Sequence, residues 1–248
     1  MLDENIARKI LGYLPDEYTT VIEIGAGTGV LSKYLLDNEK LDPYFFEIDN
    51  ESVQYLITTY PTIKEKIIHA DFLHFDLSVI PDPFVIIGNF PYNISSQILF
   101  KVLENKNKIP IVIGMFQKEV AERIASSPGT KKYGIISVLL QAYYDIEYLF
   151  TVNETVFYPP PKVKSAVLRL KRNSVSQLDC DEELFTRVVK TAFNQRRKTL
   201  RNALKSLTTE GFQGSAYTDL LLSKRAEQLS VNDYVALTGR ISERRLND

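Results

Sequence analysis

This 248-residue chain has no tryptophan, one cysteine, two histidines and two methionines. The lone Cys180 rules out an internal disulfide, and without partner thiols a cysteine-based metal centre is not expected. His69 and His74 suit structural or surface roles, so no metal site is expected at all. No apolar stretch reaches the length of a membrane-spanning helix. Residues 1–20 show no basic-then-apolar signal pattern. What remains is an expected cytoplasmic protein, monomeric because nothing in the sequence asks for an obligate partner. Hydrophobic residues make up 44% of the chain and charged ones 25%, an ordinary globular balance. The length suits one large domain, or a domain with a smaller companion.

A net charge of −1 conceals an asymmetry. Residues 1–150 hold 13 basic and 20 acidic side chains, and residues 151–248 hold 17 and 11, so the halves carry −7 and +6. One acidic part and one basic part suit a protein whose basic part meets a polyanion, although chance alone produces such splits.

Short apolar, β-branched or aromatic runs recur through the first two thirds: TVIEIG (20–25), PYFFEID (43–49), KIIHAD (66–71), FVIIGN (84–89), IPIVIGMF (109–116), AYYDIEYLF (142–150) and SAVLRL (165–170). Helical stretches lie between them. This alternation predicts an α/β fold with a mostly parallel sheet covered on both faces. Beyond residue 172, apolar residues at three-to-four spacing predict helices only. The polar stretch KRNSVSQLD (171–179) marks the division, giving a domain over 1–174 and a small helical one over 175–248.

The chemistry gathers at the strand ends. EIGAGTG (Glu23–Gly29) follows the first strand and opens a helix. Its glycines allow positive φ and close approach of a ligand to the backbone. The third glycine comes one position too early for the dinucleotide fingerprint, which weakens a nicotinamide reading. Glu47 ends the second strand, where a carboxylate can accept both ribose hydroxyls; Asp71 ends the third, where it can accept from an adenine amino group. Either acid alone also suits a helix N-cap or a solvated charge. Taken together, three strand ends each offering a suitable group to one nucleoside point to S-adenosylmethionine. The fold is then a Rossmann-like class I methyltransferase sheet followed by a small all-helical domain.

The fourth strand ends in GNFPYNIS, with Asn89, Phe90, Pro91 and Tyr92 and no Ser, Cys or acid beside them. A methyl sulfonium needs only an acceptor nitrogen presented in line. The exocyclic nitrogen of adenine becomes a better nucleophile when its two hydrogens are held by two oxygens. The side-chain oxygen of Asn89 and the Phe90 carbonyl are the candidates. Because the second is main chain, the residue type at 90 is expected to matter little. Pro91 restricts the conformation before it and aims that carbonyl. Tyr92 offers a face on which the base stacks, worth about 1–3 kcal/mol. No general base is required before the methyl moves. The tetrapeptide works by positioning and electrostatics, although a strand-ending turn would explain it alone.

With VIEIGAGTGVLSKYL, FFEID, HADFL, GNFPYNIS, MFQKEVAERI, FYPPPKVKSAVLRL, FNQRRKTLRNAL and RAEQLS, the chain resembles the bacterial KsgA-type small-subunit (16S) ribosomal RNA adenine dimethyltransferases over nearly its whole length. The resemblance implies cofactor contacts at Leu2, Gly25, Glu47, Asp71 and Asn89, and the neighbouring Glu23, Gly27, Ile48 and Phe72 complete the expected cofactor site. Phe157 resembles the family's second aromatic beside the flipped base. The implied substrate is two adjacent adenines near the 3′ end of the small-subunit RNA, each dimethylated on its exocyclic nitrogen, with a part in subunit biogenesis. Family members begin with a basic segment before the residue matching Leu2, which helps to close the cofactor site and touches RNA; here the chain opens MLDENIARKI.

RNA contact is expected on Gln195, Arg196, Arg197, Lys198 and Arg201, read as about two turns of a basic helix, which is also what an ordinary solvated helix face looks like. By resemblance, Arg123 and the Lys131–Lys132 pair lie on the same side. An adenine in a loop suits single-strand recognition, and it must leave its stack to react. Competing readings are the related large-subunit methyltransferase of macrolide resistance, a DNA adenine methyltransferase, and a subunit assembly factor that acts mainly by binding.

Overall fold

The computed structural model describes residues 3–208 and 215–245. Seven strands form one sheet: β1 (Thr20–Ile24), β2 (Asp42–Glu47), β3 (Ile67–His69), β4 (Val85–Asn89), β5 (Ile111–Gln117), β6 (Tyr144–Val152) and β7 (Ser165–Arg172), ordered β3-β2-β1-β4-β5-β7-β6. Every expected apolar run contributes one of them. The pairs along β3-β2-β1-β4-β5 are parallel, and β7 runs antiparallel to β5. Helices α1 (Glu4–Leu11), α2 (Val30–Leu36), α3 (Asn50–Thr59) and α4 (Ser95–Glu104) accompany the first four strands.

Strands β1, β4, β5 and most of β7 are buried on both faces, which explains why they read as continuous apolar runs rather than alternating ones, whereas the outer β3 and β6 are partly exposed. Val21, Phe45, Val85, Ile87, Ile113 and Val167 join one core cluster with Ala7, Ile10, Leu31, Leu35 and Leu56 of the helices. The intervening Ile22, Phe46, Ile86 and Val112 are equally buried. The order reverses at β1, which has β2 on one side and β4 on the other. The carboxyl ends of β1 and β4 therefore flank the point where open α/β sheets hold their ligands.

The chain divides into two compact units, one of residues 1–121 and 145–172, the other of 122–144 and 173–248. Helix α5 (Lys118–Ile124) crosses the division. The second unit holds α6 (Ile135–Gln141), α7 (Glu182–Asn194), α8 (Leu200–Ala203), α9 (Ala216–Ser223) and α10 (Val231–Arg245). A single cut after residue 174 would assign 122–144 to the sheet, whereas that stretch groups with the later helices. Its helix α6 packs on α7 and α10, and Val138, Leu139 and Leu140 are all buried. A helix that is apolar on every side has no stripe to show which layer it serves. Tyr133 stacks edge-on to Phe193, 6.3 Å between ring centroids, and the Tyr234 hydroxyl donates to the Ala226 carbonyl at 2.8 Å. Among the described residues no helix is long and apolar enough to cross a membrane.

Candidate active site

The glycine loop after β1 has the backbone its sequence demands: Gly25, Gly27 and Gly29 take φ of 73°, 54° and 75°, in the left-handed region that side-chain-bearing residues avoid. Gly25 N–H donates to the Phe46 carbonyl at 2.8 Å, which turns the loop over the end of β2. Beneath the loop, the Ser32 hydroxyl donates to Glu23 Oε2 at 2.6 Å, and Glu23 is only 2% exposed. Burial, reinforced by the Glu47 charge, pushes the Glu23 carboxyl up to about 8 against the Ser32 hydrogen bond. Glu23 thus stays protonated at neutral pH and ties the loop to α2 from inside; its carboxyl does not face outward.

Glu47 does. Its Oε2 accepts from Gly27 N–H at 2.8 Å, and its Oε1 accepts from Ile48 N–H at 2.8 Å and Asp49 N–H at 3.0 Å. Three of the carboxylate's roughly four lone-pair positions are therefore filled, leaving room for about one ribose hydroxyl without displacing a backbone partner. The helix-capping role that an acid here could have served belongs to Asp49, which accepts from Ser52 N–H at 2.8 Å. Ile48, beside Glu47, is 64% exposed, an apolar face of the kind a purine covers.

Asp71 closes a tight turn, accepting from Leu73 N–H at 2.9 Å through Oδ1 and meeting His74 Nδ1 at 2.8 Å through Oδ2. The Leu73 hydrogen bond chiefly holds its carboxyl below the usual range, so Asp71 is ionised and an acceptor only. The turn is held from below by Lys101 of α4, whose Nζ donates to the carbonyls of Leu73 at 2.9 Å and Phe75 at 2.6 Å. Phe72 is buried and edge-on to Phe46, with ring centroids 5.3 Å apart. Its ring is core, and only its main chain is available to a ligand. Neither His74 nor Lys101 has a sequence motif to announce it.

The 89–92 loop meets the glycine loop: a Cβ placed on Gly25 would lie 3.7 Å from Pro91 Cδ and 3.8 Å from the Asn89 carbonyl. The Asn89 side chain is exposed and makes no hydrogen bond among the described residues. The Phe90 amide donates to the Met115 carbonyl at 3.2 Å, which fixes its plane, while its own carbonyl accepts no backbone hydrogen bond among those residues. One acceptor, the Asn89 side chain, thus stands exposed at the strand end, and beside it the Phe90 carbonyl has no backbone partner in a residue only 1% exposed.

The Phe90 side chain has a packing role that a reading of its carbonyl alone does not give it. It is 1% exposed, edge-on to Phe116 with centroids 5.2 Å apart, and its ring fills the space above Gly88 and Gly114. A Cβ on Gly114 would collide with that ring. Tyr92 is half-buried, and its hydroxyl lies 2.5 Å from that of Ser165. Phe157 is half-buried against the core cluster, just after a 3-10 turn (Glu154–Val156); the Val156 carbonyl accepts from Asp3 N–H at 3.0 Å. Leu2 lies outside the described residues.

The expected RNA-binding residues fall in the second unit, and they differ in what they do there. Residues 195–198 lie in the connection between α7 and α8, not on a helix, and the next residue, Thr199, pairs with Arg225 in an antiparallel bridge. Arg196 Nη2 donates to the Lys131 carbonyl at 2.7 Å, and its Nε is 3.4 Å from Glu227. Arg201 pairs with Asp219 at 2.9 Å, and Lys132 with Glu122 at 2.6 Å. Gln195 donates to the Ala203 carbonyl at 3.3 Å, and the Arg123 carbonyl accepts from Ser137 at 2.6 Å. Arg197, Lys198 and Lys131 have exposed side chains.

A family model described as ribosomal RNA adenine dimethylase matches residues 1–243. The chain is 56% identical over 244 residues to the ribosomal RNA small subunit methyltransferase A of Cytophaga hutchinsonii, covering 97% of this chain and 93% of that one. To the protein of the same name from Bacteroides thetaiotaomicron it is 55% identical, over 90% of this chain and 83% of the other. Among solved structures, a dimethyladenosine transferase from Plasmodium falciparum superposes with a TM-score of 0.82 at 23% identity, covering 99% and 98% of the two chains. The 23S rRNA methyltransferase ErmE superposes at 0.70 and 24% identity, covering 96% and 97%; at such identities both establish the fold. The chain belongs to the ribosomal RNA adenine dimethylase family.

Proposed function

We propose that this protein transfers methyl groups from S-adenosylmethionine to the exocyclic N6 of two adjacent adenines near the 3′ end of 16S ribosomal RNA, giving dimethyladenosine, and takes part in small-subunit biogenesis. It acts in the cytoplasm as a monomer. The observation that carries this reading is the exposed Asn89 side chain next to the Phe90 carbonyl, which has no backbone partner among the described residues, in a loop set against the Gly25 turn. The 50–56% identity to relatives named small subunit methyltransferase A favours 16S over 23S RNA.

The donor set fits the cofactor. Glu47 and Ile48 suit its ribose and base, Asp71 its amino group, and the bare Gly25 and Gly27 its close approach to the main chain. When bound, S-adenosylmethionine supplies a methyl on a positively charged sulfur, so the chain needs no nucleophile of its own. Asn89 Oδ1 and the Phe90 carbonyl accept the two amine hydrogens and localise the nitrogen lone pair. Pro91 stiffens the loop, and Tyr92 and Phe157 stack the base. The proton leaves to solvent afterward, and no side chain has to be deprotonated first. In the second round the amine has one hydrogen left, so one acceptor faces a methyl group.

The test is transfer of labelled methyl to small subunits lacking the modification, followed by nucleoside analysis. Dimethyladenosine in the small-subunit RNA is expected. Transfer confined to large-subunit RNA would replace this reading with the resistance-type activity.

The sheet unit would then carry the cofactor and the chemistry, and the helical unit would hold RNA. Because Arg196, Arg201 and Lys132 have partners in the fold, the phosphate contacts are assigned mainly to Arg197, Lys198 and Lys131, with Gln195 and Arg123 alongside. Replacing Arg197 and Lys198 together by alanine is expected to weaken subunit binding and to lower the slope of log affinity against log salt by about 1–2. Replacing Arg196 is expected to lower thermal stability instead. A salt slope unchanged by the double replacement would remove this patch from the interface.

A further inference from the structure

Ser165, the first residue of β7, is fully buried, and among the described residues the one side-chain partner of its hydroxyl is the Tyr92 hydroxyl 2.5 Å away. The two residues come from different strand ends: Tyr92 from the loop after β4, Ser165 from a strand beyond β5 in the sheet. Both main chains are fixed independently of this bond. Ser165 pairs with Gln117 in the β5–β7 ladder, and next to it Lys118 N–H donates to the Lys164 carbonyl at 2.9 Å. Around Tyr92, Ile94 N–H donates to the Pro91 carbonyl at 3.1 Å and the Ser95 hydroxyl to the Tyr92 carbonyl at 3.2 Å. A tyrosine held only at its Cα samples several staggered rotamers. Held also at its hydroxyl, it has one.

We infer that Ser165 is a positioning residue for methyl transfer: through the Tyr92 hydroxyl it locks the ring on which the target adenine stacks, and it matters most for the second methyl. The inference rests on reading this site as an adenine N6 methyltransferase. The unmethylated amine brings two hydrogens to Asn89 and the Phe90 carbonyl, so hydrogen bonds alone hold it well. The monomethyl base brings one, and stacking on Tyr92 carries more of its placement. A loosened ring therefore slows the second transfer more than the first.

The experiment compares wild type, Ser165→Ala, Tyr92→Phe and the double variant on small subunits lacking the modification, measuring kcat, KM for S-adenosylmethionine and the ratio of monomethyl- to dimethyladenosine. Each single variant is expected to lose about tenfold in kcat, the worth of one hydrogen bond, with cofactor KM unchanged and monomethyladenosine accumulating. The double variant is expected to be no worse than the poorer single one, since both remove the same bond. A wild-type product ratio in Ser165→Ala, or losses that multiply in the double variant, would overturn the inference. A merely structural Ser165 would lower the folded fraction and leave the ratio alone. If Ser165→Ala does not fold, Tyr92→Phe decides, because it keeps the serine, and a wild-type ratio there is equally fatal. A wild type that forms no dimethyladenosine refutes the functional reading and this inference with it; one that does, while the variants keep its ratio, refutes this inference alone.

Discussion

Asn89→Ala is expected to lower methyl transfer by about 10²–10³-fold while leaving the fold and subunit binding in place. That is the usual cost of removing one preorganised polar group aimed at a reacting centre. The side chain is exposed and makes no hydrogen bond within the described protein, so its loss leaves nothing unpaired in the core. Without it the amine keeps one acceptor, the Phe90 carbonyl, and its lone pair stays largely in the ring. Transfer is read from labelled methyl in small-subunit RNA and binding from sedimentation with the subunit. Loss of binding equal to the loss of transfer, with an unchanged melting temperature, would mean that Asn89 serves recognition rather than chemistry. The same measurement separates an enzyme from an assembly factor, because a protein acting by binding alone would be indifferent to this substitution.

The parts of this site that were legible in the sequence are those where one residue type is compelled by backbone chemistry. Gly25, Gly27 and Gly29 all occupy positive φ, and Glu47, Asp71 and Asn89 stand at or next to the ends of β2, β3 and β4. Strand ends are visible because apolar runs stop there. What could not be read comes from residues that meet only after folding. Ser165 lies 73 positions from Tyr92, and Lys101 reaches back 28 positions to the Leu73 carbonyl. Serine at the start of a strand and lysine on a helix are too common to signal either contact. The cations are alike in the same way: Arg196, Arg197 and Lys198 cannot be told apart in sequence, and it is the carbonyl of Lys131 and the carboxylate of Glu227 that tie Arg196 into the fold.

The Phe90 ring shows how the two kinds of information combine. In sequence, Asn-Phe-Pro-Tyr assigns position 90 a carbonyl and says nothing of the ring. In the structure the residue is held on both sides of its Cα: its amide donates to the Met115 carbonyl, and its ring fills a slot that Gly88 and Gly114 leave open. Phe90→Ala is therefore expected to destabilise the protein by about 3–5 kcal/mol, the range for emptying a buried phenylalanine site. At roughly 2–4 °C per kcal/mol for a chain of this size, that is a fall of about 6–20 °C in melting temperature. Activity measured on the folded fraction should fall as well, because the cavity frees the peptide plane that presents the acceptor, whereas Phe90→Leu should recover most of both. The variants separate two views of this position. If the carbonyl alone matters, Phe90→Ala melts early but its folded fraction turns over like wild type. If the ring sets the carbonyl, stability and turnover fall together and return together in Phe90→Leu.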